Sequence, residues 1–347
     1  MKALIIAESG TTAVREIPPP IPAEGYILVR VHYAAQNPAD WKVLPYRPPG
    51  RILGNDFAGT VADPNGSSWR EGQRVAGFVF GGIDEPLQGS YAEYLVVESS
   101  LVWAVPDAVS LRDASTLSLA IATALQAMFQ RLRLPEPTSP AQSPFPVLIN
   151  GGSSSVGLYA IQLAKLSGLR VVATGSKQNH DLLKSHGADV VIDYTDATWP
   201  EQVRNLTQDN LQHALDCISD IATTRAVAQA VSSTRGGHVL CVGVRKSSEL
   251  PVELSSRVKV ESTVVYTAFG HAYDFTGLGY DNWGGRRPVD RQFWEKYLGL
   301  LPAYIESGKI KPNVSRELGG LDAIAEGLEM QKEGKVRGEK LVYKIAE

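Results

Sequence analysis

The chain has 347 residues, which exceeds the usual size of one domain and predicts two. Its formal net charge is -3 and it carries no basic run, which argues against nucleic acid or an anionic membrane surface as a partner. The first apolar run is too short for a signal peptide and none approaches a membrane span, so we expect a cytoplasmic protein with no membrane segment.

The sequence contains two cysteines, Cys217 and Cys241. Both lie in apolar runs. This position is typical of buried thiols in a reducing compartment and favours them over a disulfide.

The first hundred residues predict β-structure. Short β-branched and aromatic runs are separated by Gly, Pro and Asp clusters, as in a compact antiparallel or barrel-like domain; the runs cover residues 26–36, 59–62, 73–80 and 92–97. The motif "NPADWK" closes the first of them. Its Asp40 and Lys42 are compatible with a solvated turn or with a functional site, and the motif alone leaves both open.

The pattern changes after Ser110. Ser110 and Asp113 have the spacing of a capping box and predict the start of a helix, whereas five prolines in residues 135–146 predict a loop. From Val147 to about residue 244, strands and helices alternate, which predicts a doubly wound parallel sheet. A strand-like run at 259–269, helices near 290–307 and 321–333, and a last strand at 340–345 complete the chain.

The segment "VLINGGSSSVG" (147–157) places a Gly/Ser turn between a buried strand and a helix. There, backbone N–H groups and the helix dipole can hold a pyrophosphate, so we predict a dinucleotide site. Ser154 replaces the middle glycine of a G-x-x-G-x-x-G spacing. The predicted contacts from this turn are Gly152, Ser153, Ser154, Ser155 and Val156.

The next strand bears on the choice of cofactor. An NAD site usually ends this strand with Asp or Glu to bind the ribose hydroxyls. Here the strand is followed by "SKQN", where Ser176, Lys177 and Asn179 offer a cation and polar groups, and Tyr194 could flank the same pocket. We therefore predict NADPH as the cofactor.

Taken together, "NPADWK", "GNDFAGTV", the pair Thr123–Ala124 and "NGGSSSVG" resemble the zinc-independent medium-chain dehydrogenase/reductase superfamily over essentially the whole chain. Within it, "SKQNHDLLKSHGADVVIDY" and "GKVRGEKLV" are most similar to fungal trans-acting enoyl reductases, which partner polyketide synthases. The resemblance implies a GroES-like catalytic domain (1–118 with 264–347) and a Rossmann-type NADP-binding domain (119–263). It favours a monomer over a dimer.

We expect no metal ion. A catalytic zinc needs Cys, His or acidic ligands, and the N-terminal domain has no cysteine. In addition, Asn55 stands where zinc-dependent relatives carry a histidine. The charge that develops on the substrate carbonyl oxygen must then be stabilised by hydrogen-bond donors.

The resemblance also implies roles for individual residues. Lys42 and Thr123 are the candidate catalytic donors, and Thr123 would also contact the substrate. Asp40 and Lys42 would lie beside the nicotinamide ribose, although for Asp40 we favour a local, turn-stabilising role. The remaining expected contacts are Val242, Gly243, Leu341 and Val342 for the cofactor, and Phe269 and Gly270 for the substrate.

The leading hypothesis is an NADPH-dependent enoyl reductase that acts on acyl chains held by a polyketide synthase carrier domain. Two rivals are a free-standing reductase of quinones or alkenals, acting on small-molecule substrates, and a cofactor-bound scaffold without turnover. Arg286 and Arg287 are candidates to meet the phosphopantetheine or acidic face of a carrier. An exposed arginine pair in a loop is also compatible with simple solvation.

Overall fold

A computed structural model describes residues 1–8, 10–42, 44–83, 88–273 and 285–346. Within them, the chain folds into two compact units, residues 1–119 with 291–347 and residues 120–290. Residues 264–273 and 285–290, which we assigned to the first domain from the sequence, belong to the second unit. Buried hydrogen bonds hold them there, because Thr267 accepts from Gln126 Nε2 (2.8 Å) and donates to Asp290 (2.6 Å).

The first unit is built on β-structure, as the sequence predicts. Its strands are β1 (Lys2–Ile6), β2 (Thr12–Glu16), β3 (Tyr26–Ala35), β4 (Asp56–Asp63), β5 (Arg74–Phe78), β6 (Tyr94–Glu98), β7 (Val102–Ala104), β14 (Ser315–Gly319) and β15 (Lys340–Lys344). The main sheet has the order β14-β15-β3-β4-β5-β7, with β6 also paired to β3, while β1 and β2 form a hairpin. All of these pairings are antiparallel except that of β14 with β15.

The long strand β3 organises this sheet. Along its first half, buried and more exposed side chains alternate, which is the period of a strand with one face on the core. Ile27, Val29 and Val31 are each fully buried. The four predicted runs correspond to β3, β4, β5 and β6, whereas β1, β2 and β7 were not predicted.

Short helices accompany this sheet in the first unit. They are α1 (Pro38–Lys42), α2 (Leu111–Ala114) and α10 (Ile324–Lys332). Ser110 caps α2 by accepting from the backbone N–H of Asp113 at 3.0 Å, which confirms the predicted helix start. The helix predicted to begin at Ser110 is interrupted after α2.

Two helices contain the points at which the chain passes between the units. They are α3 (Ser118–Leu125) and α9 (Pro288–Glu306). A π-helical stretch, Gln126–Arg131, directly continues α3. Such stretches are rare and frequently occur at functional sites.

The second unit is a doubly wound parallel sheet, which confirms the prediction. Its strands are β8 (Pro146–Asn150), β9 (Arg170–Gly175), β10 (Val190–Asp193), β11 (His213–Asp216), β12 (Gly237–Cys241) and β13 (Val258–Ser262), in the order β10-β9-β8-β11-β12-β13. Its helices are α4 (Ser155–Leu166), α5 (His180–Ser185), α6 (Trp199–Leu206), α7 (Ile221–Ala230) and α8 (Val252–Ser255).

The predicted strand at 259–269 is only partly present. Strand β13 ends at Ser262, and Val265–Phe269 forms a 3₁₀-helix. The apolar, β-branched composition of this segment is explained by burial, because Val265 through Phe269 are all buried.

Both cysteines are free and buried, as predicted. Burial raises the pKa of the Cys241 thiol to about 12. Among the described residues, no helix combines the length and the hydrophobicity that a membrane crossing requires.

Candidate active site

Helix α1 presents Lys42 at the surface of the first unit. The helix is one turn long and Lys42, its last residue, is exposed. The Lys42 ammonium lies over the Trp41 ring, 5.7 Å from its centroid, within the range of a cation–π interaction. Trp41 in turn packs on the hydrophobic core. The lysine is therefore held by its neighbour and still accessible to a ligand.

Asp40 faces the opposite way and is fully buried. It accepts hydrogen bonds from the backbone N–H of Asn37 (2.7 Å), the Tyr91 hydroxyl (2.9 Å) and Asn55 Nδ2 (2.5 Å). Removal from water raises the pKa of Asp40 to about 6, although these donors favour the carboxylate. These contacts support the turn-stabilising role that we favoured for Asp40, and its contact with a cofactor stays a prediction.

A buried ion pair lies behind the same turn. Lys340 Nζ is 2.6 Å from Asp56 Oδ2, and the two residues are 2% and 0% exposed. Asn37 bridges them, because its Nδ2 donates to Asp56 (2.9 Å) and its Oδ1 accepts from Lys340 (3.0 Å). Sequence reasoning missed this cluster. Lys340 and Asp56 lie 284 positions apart in the chain, so no local pattern indicates their contact.

The glycine turn of the second unit has the geometry of a phosphate loop. Ser154 caps α4 by accepting from the N–H of Gly157 at 3.1 Å, in an extended conformation that needs no glycine. Gly151 has φ +72°, and a Cβ on Gly157 would lie only 2.4 Å from the carbonyl oxygen of Gly151. Glycine is thus required at the outer two positions of the motif, whereas serine at the middle one acts as a helix cap.

Two buried side chains hold this loop from below. The backbone N–H of Gly151 donates to Thr174 Oγ1 (3.0 Å), which itself donates to Asn150 (2.6 Å). Asn150 Nδ2 in turn donates to Asp216 (2.9 Å). Asn150 and Asp216 were not predicted, but they are recognisable in hindsight as polar residues that end adjacent parallel strands.

The residues predicted to select the cofactor follow β9. Lys177 is exposed, and Asn179 Nδ2 lies 3.3 Å from Ser176 Oγ as a donor. Tyr194 is 49% exposed. Asp193 ends the neighbouring strand, and its pKa is lowered mainly by the backbone and side chain of Thr195 and partly by the charge of Lys177. The charge of Lys177 therefore acts on Asp193, a carboxylate that the sequence analysis did not include in this pocket.

The other predicted contacts of the second unit lie just after β12 and near the π-helix. Val242 and Gly243 directly follow β12 and are half-buried. Thr123 lies on α3 and is 7% exposed, and Phe269 is 5% exposed. Gly270 has φ +75° and ends the 3₁₀-helix.

A buried polar network accompanies these residues. Gln126, in the π-helix, accepts from Thr263 and donates to Thr267, which donates to Asp290. Asp290 also forms an ion pair with Arg131. The network fixes the 3₁₀-helix that carries Phe269 against the start of the π-helix.

Leu341 and Val342 lie on β15 of the first unit and are 1% and 0% exposed. Their side chains belong to the core, so a cofactor contact from this strand would involve the backbone. The contacts predicted for them remain predictions.

The described residues do not fit a metal centre. They contain no group of three or more His, Cys, Asp and Glu side chains placed to bind an ion. Next to Asn55, the Asp56 carboxylate is paired with the Lys340 ammonium. A cation of the protein thus neutralises the acidic residue of this motif.

The phosphate loop does fit a nicotinamide dinucleotide. Glycine at positions 151 and 157 permits a tight backbone turn, which leads directly into the N-terminus of the twelve-residue helix α4. The first N–H groups of a helix and its dipole favour a bound pyrophosphate. The residues that would hold the diphosphate are those of the turn, from Gly152 to Val156.

Two family models match the chain. Residues 23–107 match the alcohol dehydrogenase GroES-like domain, and residues 155–279 match the zinc-binding dehydrogenase family. The term zinc-binding in the second description refers to the family as a whole and not to this chain. The donor set described above is not that of a zinc site.

Characterised relatives match nearly the whole chain. A trans-enoyl reductase of Alternaria alternata is 37% identical, with 99% of this chain and 98% of the relative covered. One of Trichoderma harzianum is 33% identical, with coverage of 96% and 93%. Among solved structures, an alcohol dehydrogenase superfamily protein of Novosphingobium aromaticivorans is 26% identical, covers both chains completely and has a TM-score of 0.79.

These matches agree with the fold and with the motifs that carry it. The match to the GroES-like family lies within the first unit, and the match to the second family lies entirely within the second, around the phosphate loop and the parallel sheet. The chain belongs to the trans-enoyl reductases of the medium-chain dehydrogenase/reductase superfamily and is an oxidoreductase.

Proposed function

We propose that this protein is an NADPH-dependent, trans-acting enoyl reductase that reduces α,β-unsaturated acyl chains on the carrier domain of a polyketide synthase. The similarity to trans-enoyl reductases over nearly the full chain carries this proposal. The free, buried thiols are compatible with the cytoplasm as its location.

Lys42 is the residue that we assign to the charge developing on the substrate. When bound, NADPH supplies the hydride that adds to the β-carbon of the enoyl chain. The carbonyl oxygen then gains negative charge, which the exposed Lys42 ammonium can stabilise by a charge-assisted hydrogen bond. The Thr123 hydroxyl is the second candidate donor.

Lys177 is the residue that we assign to the 2′-phosphate. It is an exposed cation directly after β9, where NAD-specific sites place a carboxylate. The charge of Lys177 also acts on the Asp193 carboxylate. This negative charge would partly offset the attraction of Lys177 for a 2′-phosphate.

A substrate comparison tests the proposal. NADPH oxidation is followed with the same α,β-unsaturated acyl group as a carrier-bound chain, as a free thioester and as a small enone. Faster turnover of the carrier-bound chain supports a trans-acting reductase. Equal or better turnover of the small enone indicates a free-standing reductase, and cofactor binding without any turnover indicates a scaffold.

Recognition of the carrier is tested by charge reversal. Arg286 is exposed and Arg287 half-buried, just before α9. Arg286→Glu with Arg287→Glu should slow reduction of carrier-bound chains and spare the small enone, since carriers present an acidic face in this hypothesis. Lys184→Glu, an exposed cation on α5, serves as the control. Unchanged kinetics with the carrier would reject this docking site.

A further inference from the structure

Helix α1 is too short to set its own direction. It has five residues, whereas isolated helices below about 12 residues are marginal in water. Its orientation, and therefore the direction in which Lys42 leaves the surface, must come from contacts with the rest of the unit.

Those contacts form two layers. In the layer nearer the helix, Asp40 accepts the backbone N–H of Asn37, the residue before the helix, at 2.7 Å. In the layer behind it, which we call the α1 anchor, the Asn37 side chain lies between Asp56 and Lys340. Asn37 is 2% exposed and belongs to both layers.

The anchor joins separate parts of the chain. Asp56 begins β4 and its Oδ1 accepts from the N–H of Leu119 at 2.7 Å. Lys340 begins β15 and donates to the carbonyl oxygen of Thr116 at 3.1 Å. Asn37 is thus held by groups whose own positions are set by the sheet and the start of α3.

Stability alone does not explain this arrangement. Desolvation of two charges costs several kcal/mol per ion, and apolar side chains of similar volume often give equal or greater stability. A buried ion pair bridged by an amide does, however, admit only a narrow range of geometries. Such clusters can specify one conformation at the expense of stability.

We propose that Asn37, backed by the Asp56–Lys340 ion pair, is a positioning residue that directs Lys42 toward the reacting carbonyl. The proposal rests on the function proposed above. Because misplacement of a catalytic group by about 1 Å can cost roughly 10²-fold in rate, fixing the base of a long side chain has a large effect on the chemical step.

The test uses Asn37→Ala, which removes the bridge and leaves Asp56 and Lys340 paired with each other. We expect single-turnover hydride transfer at saturating NADPH and substrate to fall about 10- to 100-fold. In a Lys42→Met background the same change should have little further effect, because the two residues act through one group. Glu339→Gln, next to Lys340, removes a half-buried ion pair with Arg316 and should leave the rate unchanged.

Fully additive losses from Asn37→Ala and Lys42→Met would overturn the proposal, as would an effect on thermal stability alone. If Asn37→Ala fails to fold, Asn37→Ser and Tyr91→Phe provide milder changes to the same two layers. Tyr91→Phe removes one donor to Asp40.

A second measurement does not depend on activity. In the ¹³C-methylated protein, the Lys42 signal, assigned by its loss in Lys42→Arg, should show the ring-current shift expected over Trp41. Asn37→Ala should reduce that shift and Glu339→Gln should not. An unchanged Lys42 signal in Asn37→Ala would reject positioning. A wild-type enzyme that turns over no enoyl substrate would reject the proposed function but not the positioning.

Discussion

The Lys42 turn and the phosphate loop are both one-turn structures that present a functional surface, yet they are held in different ways. The backbone path of the phosphate loop is set by its own residues, the glycines at positions 151 and 157 and the cap at Ser154, and Thr174 with Asn150 supports the loop from below. The Lys42 turn depends on side chains from distant strands, above all Asp56 and Lys340. A steric change within the motif should therefore disrupt the phosphate loop. The Lys42 turn should instead be disrupted by loss of its partners on distant strands.

The largest expected effect lies at the exposed end of the Lys42 turn. Lys42→Met should lower kcat about 10²–10³-fold, the typical loss for one donor to a developing oxyanion. The Kd for NADPH should change much less, and the fold should stay intact because Lys42 is exposed. The measurement is the pre-steady-state rate of hydride transfer at saturating NADPH.

The opposite outcome is equally informative. A raised Kd with normal hydride transfer at saturation would make Lys42 a ribose ligand and leave Thr123 as the donor for the substrate. Lys344→Met, which removes an exposed lysine at the end of β15, is the control.

The second effect concerns pH and the buried side of the same turn. The pKa of Asp40 is about 6 in the folded protein against an ordinary value of 3.8, mainly through burial. Its contribution to stability is therefore complete below pH 3.8 and is lost as the pH rises through about 6. The difference corresponds to roughly 3 kcal/mol of unfolding free energy.

Urea unfolding of the wild type and of Asp40→Asn across pH 4–7 measures this contribution. The wild type should lose stability relative to the variant as the pH rises. Asp193→Asn is the flat control, because hydrogen bonds from Thr195 lower the pKa of the half-buried Asp193 below its ordinary value of 3.8 and the carboxylate stays ionised throughout this range. Parallel curves for the wild type and Asp40→Asn would show that Asp40 does not titrate differently on folding.

The contrast between local and remote determinants also explains what could be predicted from the sequence. The strand–turn–helix unit, the parallel sheet and the cap at Ser110 follow from local spacing, and the structure contains them. The break after α2 and the 3₁₀-helix at 265–269 were not predicted, because burial in the tertiary structure decides them. The role of Lys42 came from the family resemblance, because its motif alone was equally compatible with a solvated turn, and that role stays a prediction.

The anchor behind Lys42 was not recognisable. Asp56 and Lys340 look like an ordinary acidic and an ordinary basic residue until the sheet brings β4 and β15 to either side of β3. Pairings of this kind depend on topology, and single-sequence patterns carry no information on them.

The third prediction tests the locally encoded element. In Gly157→Ala the new Cβ would lie 2.4 Å from the oxygen of Gly151 and 2.7 Å from that of Gly152, so the backbone of the loop must shift. Overpacking of this kind costs roughly 1–3 kcal/mol, which corresponds to about a 5- to 150-fold weaker affinity if the strain falls on the bound state. NADPH and NADH should lose affinity equally, because both carry the pyrophosphate.

Gly299→Ala is the matched control, since Gly299 also lies in a helix and a Cβ added there would meet no atom from outside that helix within 4 Å. Titration of each variant with both cofactors by calorimetry provides the measurement. Normal binding by Gly157→Ala would mean that the loop adapts without cost, and the contrast with the Lys42 turn would then disappear.

The smallest expected effect concerns the choice between NADPH and NADH. A charge-assisted hydrogen bond contributes roughly 1.5–3 kcal/mol. We expect the lower end of this range for Lys177, because it is exposed to solvent and its charge is partly offset by the Asp193 carboxylate. Lys177→Ala should therefore weaken NADPH about tenfold and leave NADH nearly unchanged, while Lys184→Ala should change neither. Asp193→Asn should act in the opposite direction and tighten NADPH, since it removes a negative charge near the predicted 2′-phosphate. Equal losses for both cofactors in Lys177→Ala would show that the phosphate is held elsewhere, whereas opposite shifts in the two variants would place the selectivity at the ends of β9 and β10.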